Sequence, residues 1–319
     1  MIKVKDMKRR IKKKPIIIIT STLIIIILLL SLIAYINKIN SKEYKLEKKG
    51  YSKSEINEIL RMDEKQINYA IKNNYDRYLI PLSKEKYFIW KNYKEYISYI
   101  KDDYKTAKKG YSNVITKVNT MTNFEPYTKT KQTNMKLEYG ILVNKHYSLP
   151  DKYAPDDIVE MTSQYAYPNN KIRKEVYEAF KEMSKKAKEE NITLIVNSSY
   201  RDYETQKQIY EDYSDKNGQE YADKYAARPN FSEHQTGLSI DIFSPGYGMK
   251  TFENSPAFTW LSQNSYKYGF ILRYSKDKQD ITGYSYEAWH YRYLGKDLAQ
   301  KVYNENITFD EYYAYYLDK

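Results

Sequence analysis

Residues 16–36 form an apolar run from Ile16 to Ile36, interrupted only by Thr20, Ser21, Thr22 and Ser31. As a helix, a run of about 20 residues spans the roughly 30 Å hydrocarbon core of a bilayer. No face of the segment is polar, which argues against a helix lying on a soluble domain. The first 14 residues carry eight Lys or Arg and one Asp. Positive flanks stay in the cytoplasm, so the chain from Asn37 onward is expected outside. A cleaved signal peptide is the alternative. Its apolar core is shorter, roughly 7–15 residues, and it ends in a small-x-small pattern that Ala34-Tyr35-Ile36 lacks. The reading is a basic cytoplasmic tail over residues 1–14 and an uncleaved single-pass anchor over 16–36.

Composition fits an extracellular address. The chain has no cysteine, so neither disulfides nor thiolate ligands are available. The tail supplies +7 of the net +12, leaving +5 for the rest. That modest excess suits an anionic wall. It is not the concentrated basic stripe of a nucleic-acid binder, so no nucleic-acid partner is expected.

After the anchor, residues 42–118 read as helical. Ser52 and Glu55 form a capping box ahead of Ile56, Ile59 and Leu60. Asp63 can cap a helix carrying Ile67, Ala70 and Ile71. Ile89, Tyr93, Tyr96, Ile97 and Ile100 recur at helical spacing. The string Lys-Lys-Gly-Tyr-Ser occurs at 48–52 and again at 108–112. A stalk or small helical domain over 42–118 is expected, with a linker over 119–138, where Thr, Asn and Lys show little periodicity.

The chemistry concentrates further along. Ser232-Glu233-His234-Gln235-Thr236-Gly237-Leu238-Ser239-Ile240-Asp241 is answered about fifty residues later by Glu287-Ala288-Trp289-His290. The chain has three histidines, and two lie in these motifs. Two imidazoles, a carboxylate ligand and a spare carboxylate are what a catalytic zinc requires. Leu238, Ile240 and Ile242 alternate with Ser239, Asp241 and Phe243, so Asp241 faces away from the apolar side of a strand. Gly237 permits a bend that brings His234 back toward Asp241. In the second motif Trp289, Tyr291 and Tyr293 share one face, and His290 shares the other with Arg292. Two neighbouring strands then present His234, Asp241 and His290 to one point. Glu287 faces the wrong way on a straight strand, so the chain must bend near Ala288. Either motif alone reads equally as satisfied polar residues beside a core; the pair favours the metal. His146 receives no role.

The surroundings read as α+β. Val176, Ala179, Phe180, Met183 and Ala187 form one stripe of a helix, and Ile192–Val196 is a buried strand leading to Arg201. Ser255 and Pro256 open a helix as N-cap and first position, and Gly269 closes it before a strand over 270–274. A small antiparallel sheet flanked by helices is expected over 139–308, with a tail over 309–319.

From about Tyr139 to Tyr303 the chain resembles the VanY-type D-alanyl-D-alanine carboxypeptidases, zinc peptidases that trim cell-wall stem peptides. The shared pattern is S-x-H-x-x-G-x-x-x-D followed by E-x-W-H. Around it lie Val143-Asn144-Lys145 with Leu149-Pro150, Ser198-Ser199-Tyr200-Arg201 with Gln206, Gly269–Tyr274, and Ile281-Thr282-Gly283-Tyr284. One departure is Ala288, where a proline is common; it loosens the bend beside Glu287. The resemblance implies zinc on His234, Asp241 and His290, with Glu287 as general base and then acid. It implies Arg201 on the scissile carbonyl oxygen, and Gln206, Ser232 and Tyr274 along the substrate groove. The expected activity is removal of the terminal D-alanine from D-Ala-D-Ala stem peptides. An L,D-carboxypeptidase or endopeptidase on the same stems is the near alternative, and a non-catalytic wall-binding module the distant one.

Overall fold

The computed structural model describes residues 13–318. The expected basic tail lies outside them up to residue 12. The chain divides into two compact units, 1–85 and 86–319.

The first unit begins with α1 (Lys13–Asn40). Its stretch Ser21–Asn40 is long and apolar enough to cross a membrane, and none of it is buried among the described residues. Four short helices follow: α2 (Lys42–Lys48), α3 (Lys53–Ile59), α4 (Glu64–Lys72) and α5 (Leu79–Ser83). Their starts are written in the sequence. Ser52 and Glu55 cap α3 reciprocally, and Asp63 and Gln66 do the same for α4. Leu46, Ile59, Ala70, Leu79 and Leu82 make a small core.

The second unit opens with three more helices: α6 (Tyr93–Asp102), α7 (Tyr104–Lys108) and α8 (Tyr111–Asn119). The repeated Lys-Lys-Gly-Tyr-Ser string makes the same joint twice, a helix end, a glycine at positive φ and a new helix, at Gly50 and Gly110. Residues 86–118 cluster with the sheet, so the expected stalk or small helical domain over 42–118 is divided at residue 85. The ties are contacts far apart in sequence. The Tyr87 and Tyr315 rings stack at 3.9 Å, and the Thr116 and Tyr315 hydroxyls meet at 3.0 Å. The stretch read as a linker carries β1 (Lys131–Gln132), paired in parallel with β2 (Tyr147–Ser148), and buries Met121 and Thr133.

Next come the antiparallel pair β3 (Ile158–Glu160) and β4 (Lys171–Arg173), and α9 (Lys174–Glu189). The α9 stripe of Val176, Ala179, Phe180, Met183 and Ala187 is buried as its spacing predicts. The main sheet has four antiparallel strands: β5 (Ile195–Ser198), β6 (Ser239–Phe243), β7 (Phe270–Tyr274) and β8 (Glu287–Tyr293), in the spatial order β5-β6-β8-β7. Between them run α10 (Tyr203–Asn217), α11 (Gln219–Tyr225), α12 (Pro256–Asn264) and α13 (Gln279–Thr282). Ser255 caps α12 by accepting from the Phe258 amide, with Pro256 at its start. Gly269 sits at φ +89, where a β-carbon would meet Tyr293 at 2.6 Å, so any side chain there would strain that corner.

The chain ends with α14 (Lys296–Glu305) and α15 (Phe309–Tyr312). Residues 309–318, read from the sequence as a tail, are built into the fold. Phe309 and Asp310 are almost wholly buried, and Tyr313 packs its ring on Tyr147.

Candidate metal centre

One face of the main sheet is apolar. Leu238, Ile240, Ile242, Tyr291 and Tyr293 pack there with α9. The other face carries the charges. Asp241 and His290 are direct cross-strand partners on β6 and β8, and Ser239 and Arg292 form the next pair. His234 comes from the short turn Glu233–Thr236 just before β6. Gly237 follows at φ +65, where a β-carbon would lie 2.7 Å from the Arg173 side chain. That bend folds His234 onto the strand it precedes. His234, Asp241 and His290 are all buried, and one ligand atom from each lies within 4.8 Å of the others.

The hydrogen bonds fix which nitrogens face the centre. A carbonyl oxygen only accepts, so His234 Nδ1 donates to the Ser199 carbonyl at 2.7 Å. Its Nε2 lone pair then points toward Asp241, 3.6 Å away. His290 Nε2 faces Glu233 at 3.3 Å, and its Nδ1 faces Asp241 at 3.1 Å. Two nitrogens and a carboxylate oxygen thus converge, each histidine held from behind by an acceptor. This donor set suits a borderline cation such as zinc, so the residues fit the group.

Charge on these residues is strongly tuned. Burial pulls the His234 imidazole down to about 4, helped by the nearby Arg201 cation. Burial also works against a charged His290, but hydrogen bonds to Asp241 and Glu233 outweigh it and raise the ring to about 9. Burial opposes ionised Asp241, yet the two histidines hold it well below the usual carboxylate range.

Glu287 lies where the expected bend places it. Leu272 pairs with Tyr291 but Tyr274 pairs with Glu287, so β8 bulges between these positions. The bulge turns Glu287 to the side of His290, with Oε2 3.6 Å from Nδ1. Burial pushes its carboxyl up to about 7; His290 opposes this and Asp241 adds to it.

The other expected residues surround the centre. Arg201 donates to Gln206 Oε1 at 3.0 Å, and its Nε is buried with no partner. Its charge is close enough to couple to Asp241 and Glu287. Gln206 uses its other end on the Ala227 carbonyl at 2.8 Å, so it orients Arg201. Tyr274 is buried with its ring 4.9 Å from that of His290. Ser232 is buried at the start of the His234 turn.

A second layer was not expected from the sequence. Glu233 is buried beneath His290 and accepts from Arg273 at 2.7 Å and Arg292 at 2.9 Å. Burial works against its charge, but the two guanidiniums hold it ionised, well below the usual range. Arg273 is also bonded by Asp310, which in turn accepts from Asn144 at 2.8 Å. Arg292 reaches the Ile141 carbonyl at 2.8 Å. The available signal was the rarity of arginine within otherwise buried strands.

The part of the chain that holds the candidate centre is similar to known proteins. The family model for VanY, D-alanyl-D-alanine carboxypeptidase, matches residues 169–296. The Bacillus subtilis (strain 168) protein YodJ is 42% identical over 182 residues, covering 54% of this chain and 66% of YodJ. The bifunctional D-Ala-D-Ala dipeptidase and D-Ala-D-Ala carboxypeptidase VanXYC of Enterococcus gallinarum is 32% identical over 185 residues, covering 54% of this chain and 93% of its own. The solved structure of the LdcB LD-carboxypeptidase, 37% identical, superposes with a TM-score of 0.56 over 59% of this chain and 91% of that one. The chain spans slightly less than two thirds of YodJ's own length. The matched part of the chain is similar to proteins named as carboxypeptidases. The chain belongs to the VanY family of D-alanyl-D-alanine carboxypeptidases.

Proposed function

We propose that this chain is a membrane-anchored zinc carboxypeptidase that hydrolyses the terminal D-Ala-D-Ala bond of peptidoglycan stem peptides outside the cell. The observation that carries the reading is the placement of Glu287, a half-buried carboxylate beside three convergent candidate metal ligands. His234 Nε2, Asp241 and His290 Nδ1 hold the ion. Bound there, zinc supplies Lewis acidity, lowering the pKa of water and polarising an amide carbonyl.

The protein's own groups do the rest. Glu287 takes the proton of the attacking water and returns it to the leaving D-alanine amine. Arg201, oriented by Gln206, places its free donors on the oxygen that becomes negative as the carbonyl is attacked. Ser232 and Tyr274 line the groove where the substrate terminus lies. The apolar helix anchors the chain in the membrane.

The likeness to an LD-carboxypeptidase favours a second reading, removal of a D-alanine that follows an L-centred residue. A non-catalytic wall-binding module is disfavoured because ligands, base and arginine are all present. Free D-alanine released from synthetic stem peptides ending in D-Ala-D-Ala, and from those ending in a single D-Ala, decides among the three. Preference for the first supports the proposal. Preference for the second transfers it to L,D cleavage, and release from neither by the zinc-loaded chain rejects both enzymatic readings.

A further inference from the structure

The α10–α11 hairpin carries a row of solvent-facing aromatic rings that leads away from the metal centre. Tyr213, Tyr221 and Tyr225 are 39%, 42% and 47% exposed. The Tyr213 and Tyr221 rings lie 6.3 Å apart and nearly parallel, and Tyr221 and Tyr225 lie 4.6 Å apart. Among the described residues outside the apolar helix, seven large hydrophobic side chains are this exposed, and three of them form this row.

The row is continuous with the centre. Gln206, which orients Arg201, and Tyr213 are seven residues apart on α10, two helical turns, and so share a face. Tyr210, between them, bonds Asp223 at 2.8 Å and ties α10 to α11. Tyr221 and Tyr225, four apart on α11, extend the row outward.

Its chemistry selects the partner. The row is one ring wide, and Lys216, Gln219, Glu220 and Lys224 beside it are exposed with mixed charge. Mixed charge favours neither a polyanion nor a polycation. A narrow aromatic track edged by hydrogen-bonding groups matches a sugar chain, whose rings offer apolar C–H faces and hydroxyl or amide edges. The first ring lies within reach of a stem. Seven helical residues cover about 10 Å, and an extended stem of about four or five residues spans roughly 13–18 Å.

We propose that Tyr213, Tyr221 and Tyr225 form a saccharide-stacking platform that holds the glycan strand to which the substrate peptide is attached. The inference rests on the stem-peptide reading above, and its test separates the two. The full chain in detergent is titrated with a β-1,4-linked N-acetylglucosamine tetrasaccharide by calorimetry. In parallel, turnover is compared for a free stem peptide and the same peptide on a disaccharide. The unmodified chain binds the tetrasaccharide and prefers the disaccharide-linked substrate. Tyr221→Ser with Tyr225→Ser weakens saccharide binding by roughly three- to tenfold per ring. It abolishes the preference while leaving free-peptide turnover unchanged. Tyr221→Phe with Tyr225→Phe keeps both, because the rings remain. No saturable saccharide binding by the unmodified chain, or a serine variant with undiminished binding and preference, overturns the platform. That result leaves the row to a protein partner. If neither peptide is turned over, the stem-peptide reading fails, and the saccharide titration still decides the platform.

Discussion

Glu233 and His290 meet with Oε2 3.3 Å from Nε2, while two arginines hold the other carboxylate oxygen from behind. A ligand histidine backed by a carboxylate keeps its ring orientation and gains basicity at the coordinating nitrogen. Glu233→Gln preserves shape but removes the charge. Metal affinity, read by competition with a chelator, should fall about 10–100-fold. An unchanged affinity would mean that Asp241 alone orients His290.

The ligand set itself makes the simplest prediction. Elemental analysis of the purified full chain should find one zinc. His234→Ala and His290→Ala should each lose zinc and D-alanine release together. Full occupancy in both variants would show that the ion is held elsewhere.

Metal uptake should release protons. Without metal, His290 is raised to about 9 and is charged at neutral pH, whereas His234, lowered to about 4, is already neutral. His290 must give up its Nδ1 proton to bind an ion, so affinity should rise with pH up to about 9. Calorimetry at pH 7.5 in two buffers of different ionisation enthalpy should show release of about one proton from His290, plus part of one from Glu287. For the metal-free chain the raised pKa gives a stability term with a definite sign. It is complete below the ordinary value of 6.5 and is lost as pH rises through about 9. His290→Gln should remove that alkaline dependence of the melting temperature.

Proton transfer and charge stabilisation can be separated by two variants. Glu287→Gln should keep zinc and bind substrate, yet lose roughly 10²–10⁴-fold in kcat. Arg201→Lys keeps a charge but not the planar fork of donors, so kcat/KM should drop with zinc content intact. Near-normal turnover by Glu287→Gln would assign the base to another group.

How much of this was legible depended on residue type. Histidine is scarce here, so two histidines, Asp241 and Glu287 at telling spacings announced the centre. The bend near Ala288 followed from strand parity and appears as the β8 bulge. Glu233 escaped notice because it occupies an unspecified position of its motif. Arg273, Arg292 and Asp310 escaped because ion pairs between distant segments leave no periodic trace. The same holds for Tyr87 on Tyr315, which joins the region read as a stalk or small helical domain to residues read as tail.

That unexpected join can be tested. Asp310 and Arg273 are each about 1% exposed and bonded to one another. Asp310→Asn leaves a buried guanidinium short of its counter-charge and should cost about 3–5 kcal/mol of stability. Chemical denaturation of the full chain in detergent measures it. An exposed pair is worth at most about 1 kcal/mol, so a loss that small would show that the Arg273 charge is satisfied by Glu233 alone.

Orientation across the membrane has its own check. Protease added to intact protoplasts should digest the chain beyond Asn37 and spare the first 14 residues. Protection of the residues from 139 onward would reverse the topology.

Asp310 also bears on when the centre comes into being. It is synthesised after every strand of the main sheet and after every proposed metal ligand. A chain made from its N-terminus delivers Glu233, Arg273 and His290 first, with Arg273 still lacking its second anion. The support beneath His290 is complete only once Asp310 has been made and has folded back. Assembly of the candidate centre is thus coupled to the last part of synthesis, and a chain cut short before Asp310 lacks that support.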